Sequence, residues 1–441
     1  MAVVQREGQV DLEAVESALR CALLQAGTRL LETLLEPVGA GHRVQPVRCR
    51  CGARMESCGC KTKTLVTVMG KVRFTRSLFQ CPRCGKTRFP GDEELGVVDT
   101  SRSPGVQRLV ARFAAKEPFE AAADGLREAA GITLSVKDVE RIAERLGEEI
   151  RNDEDIARRE QRRQVEAGDL IGTPVDTLYV EFDGTGIPMV HAAVKDRTGK
   201  QPDGAAKTRE AKLGCVFTQT AFDADARPIR DDATTSFVGQ IEDAEACGRR
   251  MYDEAVRRGL YQAKRVVVIT DGAEWIRNQT ALHFSQATHI VDFYHAREHV
   301  ARLAKLLFTD HPNQAHAYDK SWGDLLKEGR VDEIVSEART TLADQRRNPD
   351  KDTENEIGYL EKNRDRMHYD QYRAKGFFIG SGVIEAGCRH VIGQRFKQSG
   401  MFWSERGANN IVSLRCCILS NRFEDFWANR AEKRPITRAA A

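Results

Sequence analysis

Two short apolar runs constrain this chain more than anything else in it. Residues 177–190 read TLYVEFDGTGIPMV, and residues 265–272 read RVVVITDG. β-Branched and aromatic residues at that density favour strands. Asp-Gly is a turn-forming pair, so the strands are expected to stop at Asp183-Gly184 and Asp271-Gly272, each with a carboxylate where a buried strand surfaces. Asp-Gly can simply end a strand, and one copy would carry little weight. Two hydrophobic strands that each bring an aspartate to one rim of a sheet make a natural metal-binding pair. A helical pattern follows the second run from Ala273.

A chain of 441 residues exceeds one small core and predicts roughly two to four domains. With 41% hydrophobic and 30% charged residues, the composition is that of a soluble globular protein. No segment approaches the roughly 18–20 apolar residues that span a bilayer, and the first residues carry no signal-peptide core, so a cytoplasmic location is expected. The net charge of +3 is unevenly spread. Residues 42–90 hold twelve Lys and Arg against Glu56 alone, and residues 386–441 hold ten against four acidic residues. Basic segments in a nearly neutral chain point to a polyanion partner, with ordinary solvated charge as the plain alternative.

Six of the twelve cysteines fall between Cys49 and Cys84, which in a cytosolic chain suggests metal rather than disulfides. Alternating runs at 65–69 and 72–79 predict a hairpin turning at Gly70-Lys71. Cys49-x-Cys51-Gly and Cys81-Pro-Arg-Cys84-Gly flank it, as the four thiolates of a zinc ribbon require. The first knuckle is one residue short, which leaves Cys58 and Cys60 as alternative ligands to Cys49 and Cys51. Free surface thiols are the remaining reading. Such a small module depends on its metal to fold, and its basic surface suits a nucleic-acid backbone.

Ahead of the ribbon, Leu12, Val15, Leu19, Leu23, Leu30, Leu31 and Leu34 recur at helical spacing. They predict a packing or dimerisation helix ended by Pro37, with a linker at 39–41. After the ribbon, helices are expected at 106–116, 118–130 and 136–150. The Gly131 turn and Ser135 cap between the last two outline a helix-turn-helix, a weak signal alone since helical hairpins are common. A charged segment, 148–163, leads on.

Residues 171–300 predict mixed α/β structure: strands around Asp183, at 192–195 and 212–222, a polar loop at 197–209, a helix at 237–259, the Asp271 strand, a helix at 273–284, and a strand at 288–295. A mixed sheet with acidic strand ends suits a ribonuclease H-like core. Residues 296–375 are helical without a strand-like run. Beyond them, Gly380-Ser381-Gly382 opens a helix expected over 383–397, which carries Glu385, Arg389, His390, Arg395 and Lys397. Glu385 sits in the first turn, where a carboxylate can serve as a cap alone. Arg389, one turn on, can hold a phosphate or Glu385 itself; Arg395 and Lys397, further along, are expected to contact DNA with it. Asp183, Asp271 and Glu385 are the carboxylates that two-metal phosphoryl transfer with Mg²⁺ or Mn²⁺ requires. Cys416-Cys417 has no base or metal pattern nearby and reads as core.

The chain resembles the DDE transposases of bacterial insertion sequences, most closely the ISKra type, over most of its length. Carrying the resemblance are the basic cysteine ribbon followed by LGVVD, EFDGTGIPM around Asp183, TDGAEWI around Asp271, IVDFYHAREHV, and GSGVIEAGCRHVIGQRFKQSGMFWSERGANNIVSLRCCILS. The last two are long and specific; the shortened Cys49-x-Cys51 knuckle and the extra Cys58 and Cys60 depart from the pattern. The resemblance implies a multidomain α/β protein with a ribonuclease H-like mixed sheet and an all-helical insertion before the final glutamate. It implies metal-dependent strand transfer on double-stranded DNA, with N-terminal modules recognising the terminal inverted repeats. Asp183, Asp271 and Glu385 match its three acidic positions. His295 falls where relatives place an Asp- or Cys-x-x-His motif, here Asp292-Phe-Tyr-His295, to touch scissile phosphate or order the site; a hydrogen-bonded structural histidine is the alternative.

The implied organisation is a helix at 1–41, a zinc-ribbon-like module at 42–92 and a helix-turn-helix-like domain at 93–165. A catalytic domain at 166–295 and 376–430 follows, interrupted by the insertion at 296–375, with a tail at 431–441. A homodimer or higher oligomer acting on DNA at the nucleoid, and no membrane, complete the expectation. A DNA-binding regulator without catalysis and a metal-dependent nuclease without strand joining are the competing functions.

Overall fold

A computed structural model describes residues 5–6, 9–40, 46–199 and 204–434. The fold is mixed α/β, and the chain divides into two compact units. One spans Met1–Leu146 with Arg422–Ala441, the other Gly147–Asn421.

In the first unit, helix α1 (Leu12–Ala40) precedes a three-stranded antiparallel sheet of β1 (Glu56–Thr67), β2 (Gly70–Gln80) and β3 (Thr87–Arg88). The hairpin turns at Val68-Met69, with Thr67 paired to Gly70, rather than at Gly70-Lys71. Pro37 does not end α1. Its missing N–H costs one helical bond, while the extra turn buries Val38 and brings Gly39 so close that a Cβ there would lie 1.8 Å from the Thr75 carbonyl. The expected linker starts inside this helix, and Gly41 lies outside the described residues.

Then come α2 (Pro90–Leu95), α3 (Pro104–Lys116), α4 (Phe119–Ala130) and α5 (Val136–Glu166). Gly131 caps α4 with φ +67, and the Ser135 hydroxyl accepts from the Asp138 N–H at 3.1 Å, so the predicted turn chemistry is present. The charged segment 148–163 is not a separate connection but the second half of α5. Pairs such as Glu154–Arg158 at i,i+4 support it, and the division into units falls at Gly147, within this helix.

The second unit is built on a six-stranded mixed sheet of β4 (Val175–Pro188), β5 (Thr208–Phe222), β6 (Pro228–Arg230), β7 (Ser236–Gln240), β8 (Ala263–Thr270) and β9 (Thr288–Val291). The order is β9-β8-β4-β5-β6, with β7 also on β5. β8 and β9 run parallel to β4, while β5, β6 and β7 pair antiparallel. The period of two along β4 assigns its faces. Leu178, Val180 and Phe182 join Val216, Val268, Met251 and Ile276 in a core beneath α6 (Ala244–Arg257) and α7 (Glu274–His283). Tyr179, Glu181 and Asp183 therefore face the other side.

Several expected boundaries move. β4 runs through Asp183-Gly184 because β5 continues to pair with it from Leu213 to Thr208. Residues 236–240 are strand rather than helix, paired with Lys212–Val216 along β5, and Asp243 then caps α6 through the Ala246 N–H at 2.7 Å. His191–Ala193 is a 3₁₀ turn in place of the strand at 192–195. β9 stops at Val291, since Asp292 caps α8 (Phe293–Leu307) and puts His295 in its first turn. After α8, helices α9 (Pro312–Lys327), α10 (Val331–Asp344), α11 (Lys351–Asn363) and α12 (Tyr369–Ala374) form the all-helical segment, then α13 (Gly382–Gly387) returns to the sheet. The helix at 383–397 is interrupted by π-helix over Cys388–Gly393 before the short α14 (Gln394–Phe396). Buried Arg415, in α15 (Glu405–Leu419), donates to the carbonyls of Val391 (2.6 Å) and His390, drawing them out of the regular ladder. Cys416 and Cys417 are core, as expected. The closing helix, α16 (Phe423–Glu432), belongs to the first unit.

Candidate functional site

Two places gather chemistry. The first is the ribbon, where the sulfurs of Cys49, Cys51, Cys81 and Cys84 all lie within 4.8 Å of one another. Cys49 and Cys84 approach to 3.4 Å and Cys51 and Cys81 to 3.6 Å. Zn–S bonds of about 2.3 Å place tetrahedral sulfurs about 3.8 Å apart, so the set fits zinc. The short first knuckle works because both loops close alike. Cys49 N–H donates to the Ala53 carbonyl and Cys81 N–H to the Lys86 carbonyl, both at 2.9 Å. In each, the glycine after the second cysteine, Gly52 or Gly85, takes a positive φ. Burial opposes a Cys81 thiolate, but the backbone N–H groups of Cys84 and Arg83 outweigh it and bring the thiol down to about 7. Cys58 and Cys60 do not take part: they lie on β1, bonded to Gln80 and Ser77.

The second place is the rim of the large sheet. Ile269 of β8 is aligned with Glu181 of β4; two residues further on come Asp183, still within β4, and Asp271, one residue past the end of β8. Adjacent strands are about 4.8 Å apart, so the two aspartates sit side by side on one face. Burial lifts the Asp183 carboxyl above its usual range; the Cys388 thiol and the Gly184 N–H (2.6 Å) hold it down, and the charges of Asp271 and Glu210 raise it further. Cys388 lies one turn after Glu385, so its thiol ties the helix of the third acid to the strand of the first. Glu385 itself is exposed and accepts from the Ser381 hydroxyl at 3.3 Å.

Two buried carboxylates missed in the sequence hold that helix. Glu181, fully buried, accepts the Ile384 N–H at 2.8 Å, while its other oxygen has no hydrogen-bond partner among the described residues. Burial pushes its carboxyl up to about 8. Asp292, also fully buried, accepts the Ser381 N–H and hydroxyl on one oxygen and the His295 N–H on the other at 2.7 Å. The only sequence signal for either was position: Glu181 shares the face of Asp183, and Asp292 opens the Asp-x-x-His motif.

The helical segment reaches the same rim. Tyr359 Oη donates to the Asp271 carbonyl at 2.9 Å, and its ring stacks on His299 at 3.5 Å. His299 meets Glu356 through Nδ1 and His295 through Nε2, the latter at 3.3 Å. Burial pulls the His299 imidazole below its usual range, against the pull of Glu356. His295 is thus a hydrogen-bonded histidine in a Glu356–His299–His295 chain. Nothing in the sequence linked residues so far apart.

The three expected DNA-binding cations differ in exposure. Arg389 and Lys397 are exposed, and Lys397 Nζ reaches Thr185 Oγ1 at 2.5 Å. Arg395 is fully buried, with its guanidinium 4.9 Å from the Trp403 ring centre. It offers no surface to a phosphate, because the helix turns it into the core beside Phe396. Among the described residues only the four cysteines converge within 4.8 Å; the three carboxylates are spread more widely.

No protein-family model matches the chain, and none of the curated proteins it was compared with does. Among the described residues, no helix is long and apolar enough to cross a membrane.

His289, on β9 next to the Asp271 strand, carries a pH prediction. Burial and the nearby Arg366 and Arg277 lower its imidazole to about 3, and Nε2 meets Thr270 Oγ1 at 2.9 Å. The unfolded chain takes up a proton near pH 6.5 that the folded chain refuses until about 3, so stability is full above 6.5 and falls with pH below it. The slope is about 1.4 kcal/mol per pH unit, or about 2 kcal/mol by pH 5. Denaturant midpoints at pH 7 and pH 5 should show this loss, and His289→Gln should lose less.

Proposed function

We propose that this chain is a DDE transposase, which binds the terminal inverted repeats of an insertion sequence and catalyses metal-dependent DNA cleavage and strand transfer. The closeness of Asp183, on β4, to Asp271, just past the end of the neighbouring parallel strand β8, together with the Cys388 thiol beside Asp183 on the helical stretch of Glu385, carries the reading. A sheet of antiparallel strands extended by two parallel ones, with an all-helical segment before the last acid, supports a ribonuclease H-like core. The motifs around each acidic residue support the same assignment.

The donor chemistry fits Mg²⁺ or Mn²⁺: the rim offers carboxylate oxygens from Asp183, Asp271 and Glu385, hard ligands that suit these ions. When bound, such ions activate a water or 3′-hydroxyl and stabilise the leaving oxygen. The chain's own residues do the positioning. Glu181 and Asp292 fix the start of α13 and so aim Glu385. Tyr359 steadies the Asp271 turn. His299, held by Glu356, holds His295 through its Nε2 and so orders the site. Arg389 and Lys397 lie where a DNA backbone passes, while the zinc ribbon and the Gly131 turn unit read the repeat ends. The protein works as an oligomer on DNA in the cytoplasm, at the nucleoid.

Product analysis on labelled repeat-end DNA with a target plasmid tests this. Joined products carrying the end support the transposase. Hydrolysed ends without joining would replace it with a nuclease, and binding without cleavage with a regulator.

A further inference from the structure

Residues 362–375, at the end of the helical segment, hold five Lys and Arg against Asp365 and Asp370. Lys362 is paired with Glu274 at 3.0 Å, and Arg364 with Asp332 at 3.3 Å. Arg366 differs. It is half-buried, and its guanidinium donates to Asn363 Oδ1 and reaches Nε2 of the neutral His289 at 3.5 Å. Asp365 turns outward to Arg364 and is 91% exposed. Among the described residues no carboxylate pairs with Arg366, and none pairs with Arg277 of α7, whose charge acts on both Arg366 and His289. A desolvated guanidinium without a counter-charge costs free energy, and a second cation beside it adds to the cost. An anion seated between the two removes that cost.

The same contacts fix where such an anion lies. His289 Nε2 also meets Oγ1 of Thr270, the last residue of β8, at 2.9 Å. Asn363 lies against Gly272, where a Cβ would come within 3.2 Å of its Nδ2. Arg366 is therefore braced on both neighbours of Asp271 and stands beside the carboxylate rim. We infer that Arg366 and Arg277 form a phosphate site next to Asp271, which takes one backbone phosphate of the DNA strand that reacts at the rim. That the anion belongs to DNA rests on the proposed function; that an anion binds here rests on two cations without ion pairs. A guanidinium is planar and meets phosphate oxygens two at a time, which an ammonium cannot do. Because Asn363 and His289 already hold Arg366, little side-chain freedom is lost on binding. The pair acts by positioning: it sets the strand in register with Asp183, Asp271 and Glu385.

Gel-shift affinity of the full-length protein for linear duplex DNA carrying the flanking genomic repeats, measured at several salt concentrations, tests this. Each phosphate neutralised contributes about 0.9 to the slope of log affinity against log salt. The slope should fall by about 0.9 in Arg366→Gln/Arg277→Gln and stay at the wild-type value in Arg364→Gln, whose cation already has Asp332. Arg277→Gln alone, at an exposed position, should weaken binding in the same direction and decides the matter should the double variant misfold. A wild-type slope in Arg277→Gln and in the folded double variant overturns the site, even where the protein cleaves and joins repeat ends. A lowered slope in a protein that joins no strands keeps the site and removes the transposase instead. A wild type that binds no DNA removes both.

Discussion

Cys81→Ser is expected to unfold the knuckles of the ribbon and empty it of zinc, while Cys58→Ser and Cys60→Ser leave one zinc per chain. Apparent binding energies of structural zinc are about 10–16 kcal/mol and act directly as folding energy. Around the knuckles the core available without metal is little more than Met55, Val47, Ala53 and Phe79 beside Cys49 and Cys81, whereas Leu65, Val72 and Phe74 hold the far end of the hairpin against α1. Metal content and protease sensitivity of residues 46–90 provide the readout. A chelator should reproduce the Cys81→Ser result in the wild type. Full zinc content in Cys81→Ser, or its loss in Cys58→Ser, would assign the ligands differently.

Glu385→Gln and Asp183→Asn are expected to lower cleavage of repeat-end DNA by at least about 10³-fold, the scale on which loss of a preorganised charge acts in phosphoryl and acyl transfer. Neither should harm the fold. Glu385 is exposed and its bond to the Ser381 hydroxyl is one that glutamine can keep. Asp183 is a partly buried acid lifted by burial and by Asp271, so asparagine relieves a cost rather than adding one. Gel-shift affinity and melting temperature should therefore stay near wild type while cleavage disappears. Retained cleavage in either variant would remove that residue from the catalytic set.

Much of this arrangement is legible in the sequence, and the misreadings share a cause. The run Leu178-Tyr-Val-Glu-Phe-Asp183 announces a strand, but it also alternates apolar with polar or aromatic residues. That alternation places Glu181 and Asp183 on one face, a point hidden when the run is read as uniformly buried. Asp183-Gly184 has turn chemistry, yet β5 supplies partners beyond it and tertiary pairing overrides local preference. The same override makes Phe237 to Gln240 a strand and carries α1 past Pro37. Cysteine spacing made the ribbon legible even with a short knuckle, because both loops close on a glycine. Contacts across the chain, such as Glu181 with Ile384, Asp292 with Ser381, and Tyr359 with Asp271, leave no local pattern and require the fold. Arg395 was misplaced for a simpler reason: at 3.6 residues per turn it already lies about 120° around the helix from Arg389.

On the proposed function, Asp183, Asp271 and Glu385 form a metal-dependent site for DNA strand chemistry. Incubating wild type and Asp271→Asn with Mg²⁺ and linear DNA carrying the flanking genomic repeats tests it most directly. Specific nicks at the repeat ends by the wild type, absent in Asp271→Asn although the variant still binds the ends, are the predicted result. Nicks of equal yield in the two proteins, or none in either, would contradict it.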